Sequence, residues 1–323
     1  MRIRLSTKSD VRFVTLENDV GFSVTFSSLG AGLYSIIYKN HEMLSVPANI
    51  EDFKKCYHGK TIGRIANRVR GNKIKINDVV YTLENNEGKN TLHGGPHGLH
   101  TKTFKYDLVT KKDSLSVIFK HTVKDLEDGL PGNLNLEVIY TIFKDKFVIE
   151  MEYKAVSDKP SVLSLTNHAY FNMGINNSED LFLKVNASKY LDTENDTLLA
   201  IEKKDVNLAL NFKDFKKIGK NINNEFLLKS KANGYDHFFY FDEVDISKPN
   251  IILVSKHAKL NLYTDFEGAQ IYSNNYPSYE LRGTDRRVHA CVALEPSMSH
   301  LELHPLAKNE EYHHKVIYEF MDA

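Results

Sequence analysis

Apolar residues recur at every second position along most of this chain. Phe22, Val24 and Phe26 do so, as do Leu115, Val117 and Phe119. A longer run is made by Leu134, Leu136, Val138, Tyr140 and Ile142. After Phe143-Lys144-Asp145-Lys146, the same beat resumes with Phe147, Ile149, Met151, Tyr153 and Ala155. A period of two is the pleat of a half-buried strand, so these two runs predict a hairpin. Ile74 and Ile76, then Asn77-Asp78, then Val79, Tyr81 and Leu83 predict a second one, with the Asn-Asp pair as its turn. Leu181, Leu183 and Val185, then Leu260 and Leu262, then Val316, Tyr318 and Phe320 carry the pattern to the C-terminus.

No window of twelve or more residues carries the 3.6-residue apolar stripe of an amphipathic helix. Residues 197–215 fit the period of two least well, and a short helical turn is expected there. No Pro/Gly/Ser-rich linker and no fixed-period repeat divides the sequence. Many alternating strands without helices imply an all-β fold of stacked antiparallel sheets, a large sandwich. One domain over residues 1–323 is the expectation.

Composition narrows the partners. Lys+Arg and Asp+Glu are both 42, so no basic excess is present to hold nucleic acid or an anionic membrane surface. No apolar run approaches the ~18 residues of a membrane span, and the first ten residues lack the apolar core of a signal peptide. Cys56 and Cys291 form no Cys-x-x-Cys pair, which points to a reducing compartment and a cytoplasmic protein. A small, uncharged polar ligand is the expected partner, with neither nucleic acid nor membrane.

Several chemistries can be tested and set aside. Gly59-Lys60-Thr61 looks like the end of a phosphate-binding loop, but Lys54 stands where that loop needs its first glycine. His93, His97 and His100 have metal-like spacing, yet Gly94-Gly95-Pro96 forbids the helix that would align two of them. No Gly-x-Ser-x-Gly elbow offers a serine nucleophile. No metal and no cofactor are expected.

Two histidine signatures remain, Thr91-Leu92-His93-Gly94-Gly95 and Thr166-Asn167-His168-Ala169-Tyr170-Phe171-Asn172. Imidazole can hold or release a proton near neutrality, which suits acid–base work without a cofactor. Taken singly, His168 reads more readily as a structural residue, Asp236 as a turn acid, and Arg68 as half of a surface salt bridge. Glu295 follows the apolar run from Ala290 to Leu294, so it reads as a carboxylate buried at a strand end and a candidate general base.

The ordered series is more specific than its parts. Gly63-Arg64-Ile65-Ala66-Asn67-Arg68-Val69, Leu92-His93-Gly94-Gly95, Thr166-Asn167-His168-Ala169-Tyr170-Phe171-Asn172, Gly234-Tyr235-Asp236-His237, Ala269-Gln270-Ile271-Tyr272 and Leu294-Glu295-Pro296 follow one another. This series resembles the aldose 1-epimerase (galactose mutarotase) family over nearly the whole chain. The resemblance implies a β-supersandwich with an open sugar cleft, a monosaccharide substrate, and anomer interconversion by ring opening and closing. It implies Glu295 as general base, His168 as general acid, and His93 as a group that binds and polarises sugar oxygens. Asn67, Arg68, Asp236 and Gln270 match positions that hydrogen-bond sugar hydroxyls, and Tyr170 is expected to line the cleft.

The chain departs from the family pattern at Pro296, where a polar residue is usual, in a shortened 125–132 loop, and in having no Trp. Two alternatives share the fold. A hexose-6-phosphate 1-epimerase would use the cluster Arg64, Arg68 and Arg70 for phosphate, and a sugar-binding protein would keep the cleft without the chemistry. For activity at neutral pH, His168 and Glu295 are expected to be coupled, each stabilising the charged form of the other, with the histidine pKa raised.

Overall fold

The computed structural model describes residues 1–284, 288–302 and 304–323. Among these, the strands assemble into three main antiparallel sheets of nine, six and five strands. The expected hairpin is present as Leu134–Phe143 and Val148–Ser157, paired in register from Leu134↔Ser157 to Ile142↔Ile149. The second hairpin is Lys73–Ile76 with Val79–Thr82, and Asn77 takes the positive φ its turn needs.

Alternation becomes layering. Leu134, Leu136, Val138, Tyr140 and Ile142 are buried on one face of the nine-stranded sheet. They share a single core with Phe171, Phe239, Ile271, Val292 and Leu294 of the six-stranded sheet. Val14, Leu16, Val24 and Phe26 of the five-stranded sheet join the same core. Two faces of apolar side chains packed against each other make the sandwich, as the sequence pattern implied.

Two local readings change. Residues 197–215 hold no helix; Ala200–Asp205 is a strand at the edge of the six-stranded sheet, paired to Lys189–Thr193. It is exposed on both sides after its first residue, so no core selects apolar residues at every second position. Short helices occur instead at Ile50–Lys55 and Glu225–Lys229, each with an asparagine side chain capping its N-terminus. No helix among the described residues is long and apolar enough to cross a membrane.

Candidate active site

One wall of the site is the side of the six-stranded sheet turned away from the main core. Successive side chains of a strand point to opposite faces. Along Val292–Ser297, Val292 and Leu294 therefore enter the core while Glu295 points the other way. Gln270 stands directly opposite Glu295 on the next strand, and Asp236 opposite Tyr272 on the strand beyond. Tyr170 pairs with Ala293 on the remaining side. Glu295, Gln270, Asp236, Tyr272 and Tyr170 thus line one cavity of about 340 Å³. Glu295 lies within its strand rather than at the end, and is 1% exposed.

The other wall is made by strand ends and turns. Thr166–Asn167 pairs with Thr61–Ile62, and at its end Asn167 and His168 part company. Asn167 turns inward, donating from Nδ2 to Gly59 O at 2.7 Å and to the Tyr140 hydroxyl at 3.2 Å. His168 turns into the cleft while its backbone N–H donates to Lys60 O at 2.9 Å and its carbonyl accepts from Gly59 N at 2.8 Å. Its ring lies stacked on Tyr170, centroids 4.8 Å apart, and Tyr170 is stacked in turn on His58 at 4.1 Å.

His93 follows Thr91–Leu92, which pairs with Arg68–Val69. The chain must reverse at once, and His93 and Gly94 both have positive φ. A Cβ on Gly94 would lie 2.0 Å from Gly63 O, so the glycine is required by the close passage of two backbones. His93 Nδ1 accepts from Asn67 N at 3.2 Å. Burial drives the His93 pKa well down, so the ring is neutral, and an accepting Nδ1 leaves its proton on Nε2 as a donor.

The decisive contact is between walls: His168 Nε2 is 3.5 Å from Glu295 Oε1. Burial pushes His168 down to about 3. Burial, with Asp236 adding repulsion, raises Glu295 well above the usual carboxylate range. The expectation that coupling raises the histidine value is therefore overturned. Desolvation disfavours the charged form of each group, so a single proton on the pair favours the carboxyl over the imidazole. Asp236 is raised by burial, against the pull of Arg68 and of Gln270. Its Oδ1 accepts from Gln270 Nε2 at 2.6 Å and its Oδ2 lies 3.8 Å from Arg68 Nη1.

Arg68 is not a surface residue: its side chain is 11% exposed and forks onto Glu87. Arg64 and Arg70 do not join it. Arg64 is fully buried, 2.9 Å from Asp128 Oδ2, a contact by charge rather than by a well-aligned hydrogen bond. It also donates to the carbonyls of Pro131 and Gly132. Arg70 reaches outward to Glu194.

All eight expected residues, Asn67, Arg68, His93, His168, Tyr170, Asp236, Gln270 and Glu295, line this one cavity. Sequence reading missed Tyr57, His58, Glu87, Tyr276 and Tyr279, which line or support it. Tyr57-His58-Gly59 carries a signal, two rings beside a turn residue, whereas nothing in Asn85-Asn86-Glu87-Gly88 sets Glu87 apart from an ordinary polar loop. His93, His168 and Glu295 also offer one ligating atom each, all within 4.8 Å of one another, which makes chelation a direct test of the proton-transfer reading.

A family model described as "Aldose 1-epimerase" matches residues 12–319. The chain is 31% identical over 291 residues to the aldose 1-epimerase of Escherichia coli, covering 85% of this chain and 81% of that one. It is 30% identical over 292 residues to that of Haemophilus influenzae, with the same coverage. The crystal structure of galactose 1-epimerase from Lactobacillus acidophilus superposes with a TM-score of 0.91 at 26% identity, covering 100% of this chain and 99% of that one.

Proposed function

The chain belongs to the aldose 1-epimerase family, and from that premise we propose how its cleft interconverts the α and β anomers of free aldohexoses such as galactose and glucose. The protein is an isomerase acting on a sugar. The observation that carries the mechanism is the 3.5 Å contact of His168 with Glu295 across the cleft.

A cyclic aldose is a hemiacetal. Opening it requires a proton to leave the C1 hydroxyl and another to reach the ring oxygen; rotation about C1–C2 and closure then give the other anomer. The pair's single proton first crosses from Glu295 to His168, 3.5 Å away; ionised Glu295 then takes the C1 hydroxyl proton while protonated His168 gives its own to the ring oxygen. When the ring has opened, the acid is neutral imidazole and the base is neutral carboxyl. Burial favours that arrangement, because it removes two charges from a low-dielectric site. The charge separation needed to reach the reactive closed-ring state is thus relieved as the ring opens. Closure runs the transfers backwards, and the pair carries one proton throughout.

The remaining side chains orient the sugar. His93 donates from Nε2 to a sugar oxygen, and Asn67, Arg68, Asp236 and Gln270 bond its hydroxyls. Tyr170, stacked beneath the His168 ring, holds that imidazole in line. Positioned groups of this kind convert a reaction already possible in water into a fast one. The phosphorylated-sugar alternative has less support, since Arg64 and Arg70 point away from Arg68 and are each paired elsewhere.

A single domain over residues 1–323 is supported by a core that draws on residues from Val14 to Phe320. A reducing, cytoplasmic setting is supported by two buried free thiols, Cys56 and Cys291. Polarimetry of freshly dissolved α-D-galactose and α-D-glucose, with and without protein, tests activity and preference together. Mutarotation no faster than in buffer would sink the proposal.

A further inference from the structure

Glu87 lines the same cleft and has no part in the mechanism above. It begins a tight turn in which Asn90 N donates to Glu87 O at 3.0 Å and Gly88 takes a positive φ. Asn86 clamps that turn to the neighbouring strand: Leu92 N donates to Asn86 Oδ1 at 2.7 Å, and Asn86 Nδ2 donates to Leu92 O at 3.0 Å. Leu92 is the register partner of Arg68. The backbone therefore delivers a carboxylate beside the guanidinium on the adjoining strand.

The contact is two-pronged. Arg68 Nε donates to Glu87 Oε2 at 2.7 Å and Nη2 donates to Oε1 at 3.0 Å. A planar guanidinium held along one edge has no freedom to rotate. Its other end, Nη1, is left toward Asp236 and the cavity. Charge matters as much as direction. Among the described residues lining the cleft, Arg68 is the most buried cationic side chain, and a carboxylate in direct contact cancels its attraction for anions.

We infer that Glu87 is a positioning and specificity-determining residue: it aims Arg68 Nη1 into the cleft and neutralises the guanidinium, so that the site selects uncharged aldoses over anionic ones such as uronates. The inference rests on the sugar reading of the cleft.

Calorimetric binding of D-galactose and of D-galacturonate, which differ only at C6, tests it in the wild type, Glu87→Ala and Glu87→Gln. Glu87→Ala removes aim and charge together. Galactose should bind about tenfold more weakly, and galacturonate about tenfold more tightly, as loss of one charge-assisted fork and gain of one net charge imply. Added salt should erase the second change. Glu87→Gln keeps one acceptor for the fork but no charge, so it should recover much of the galactose affinity while keeping the full gain for galacturonate. By polarimetry, the loss in Glu87→Ala should appear in KM rather than in kcat.

Unchanged galacturonate affinity in both variants, or a fall in kcat at constant KM, overturns the inference. A wild type that binds galactose but does not turn it over refutes the enzyme reading and leaves the role of Glu87 measurable. A wild type that binds neither sugar removes both.

Discussion

His168 Nε2 and Glu295 Oε1 face each other at 3.5 Å, and both side chains are nearly devoid of solvent contact. Two groups so placed titrate as a unit: the proton one loses is the proton the other holds.

Replacing Glu295 by Gln keeps the shape of the side chain and removes its basicity. Turnover should fall by roughly 10²–10⁴, the usual worth of general acid–base catalysis, while galactose affinity changes little. Asp236→Asn should do the opposite, weakening binding more than it slows the bound reaction, because Asp236 anchors Gln270 and faces Arg68. Steady-state polarimetry with a parallel binding titration separates the two outcomes. Near-normal turnover in Glu295→Gln would assign the base to another residue.

The rate profile follows from the directions of the two shifts. His168 is lowered to about 3, so the pair gains a second proton only in strong acid. Glu295 is raised, so the pair gives up its single proton only well above the ordinary carboxylate value. Activity should fail in strong acid and again where Glu295 gives up the pair's proton, above the ordinary carboxylate range, and the acid limb should lie far below the free histidine value of ~6.5. In His168→Asn, residual activity should instead rise with pH as Glu295 ionises alone. A wild-type rate that rises with pH through ~6.5 would show that a solvated histidine, not this buried pair, controls the acid limb.

Exhaustive chelation should leave the rate unchanged, since the proton transfers described need no ion. Loss of activity that a divalent cation restored would make His93, His168 and Glu295 metal ligands, and the acid–base roles would have to be reassigned.

Arg64 should prove structural. Arg64→Met leaves the Asp128 carboxylate, 5% exposed, without its partner, and the stability measured by urea unfolding should drop by ~3–5 kcal/mol. Adding Asp128→Leu should restore part of it, because the buried carboxylate goes while the Pro131 and Gly132 carbonyls still lack the Arg64 donors. A single variant as stable as the wild type would show that Asp128 finds another partner or a proton at little cost.

Long strands with one wet face were legible in the sequence because burial imposes its period on them; Leu134 to Ile142 is the plainest case. Ala200–Asp205 was not, since an exposed edge strand has no core to select its side chains. Among site residues, those in ordered blocks were found as a set, although Arg68 alone read as a surface ion pair. Its burial depends on the 85–90 turn folding over it, and nothing in Asn85-Asn86-Glu87-Gly88 announces which strand that turn covers. The protonation of the pair was misjudged for a similar reason. Sequence shows that His168 and Glu295 are both present, but only the packing around them shows how far desolvation disfavours the charged form of each.

Glu295 and Leu294 are neighbours on a strand whose two sides serve different masters, one the sugar cleft and one the core. Deleting or inserting a single residue between Val292 and Glu295 would exchange the sides, sending a leucine into the cleft and a carboxylate into the hydrophobic interior. Folding and chemistry would be lost in the same step, so this strand can diverge by substitution and not by changes in length. A change of length that spares both sides has to fall in the loops around the cleft, such as residues 85–90 and 273–279, where the count of residues sets reach and not the side of a sheet.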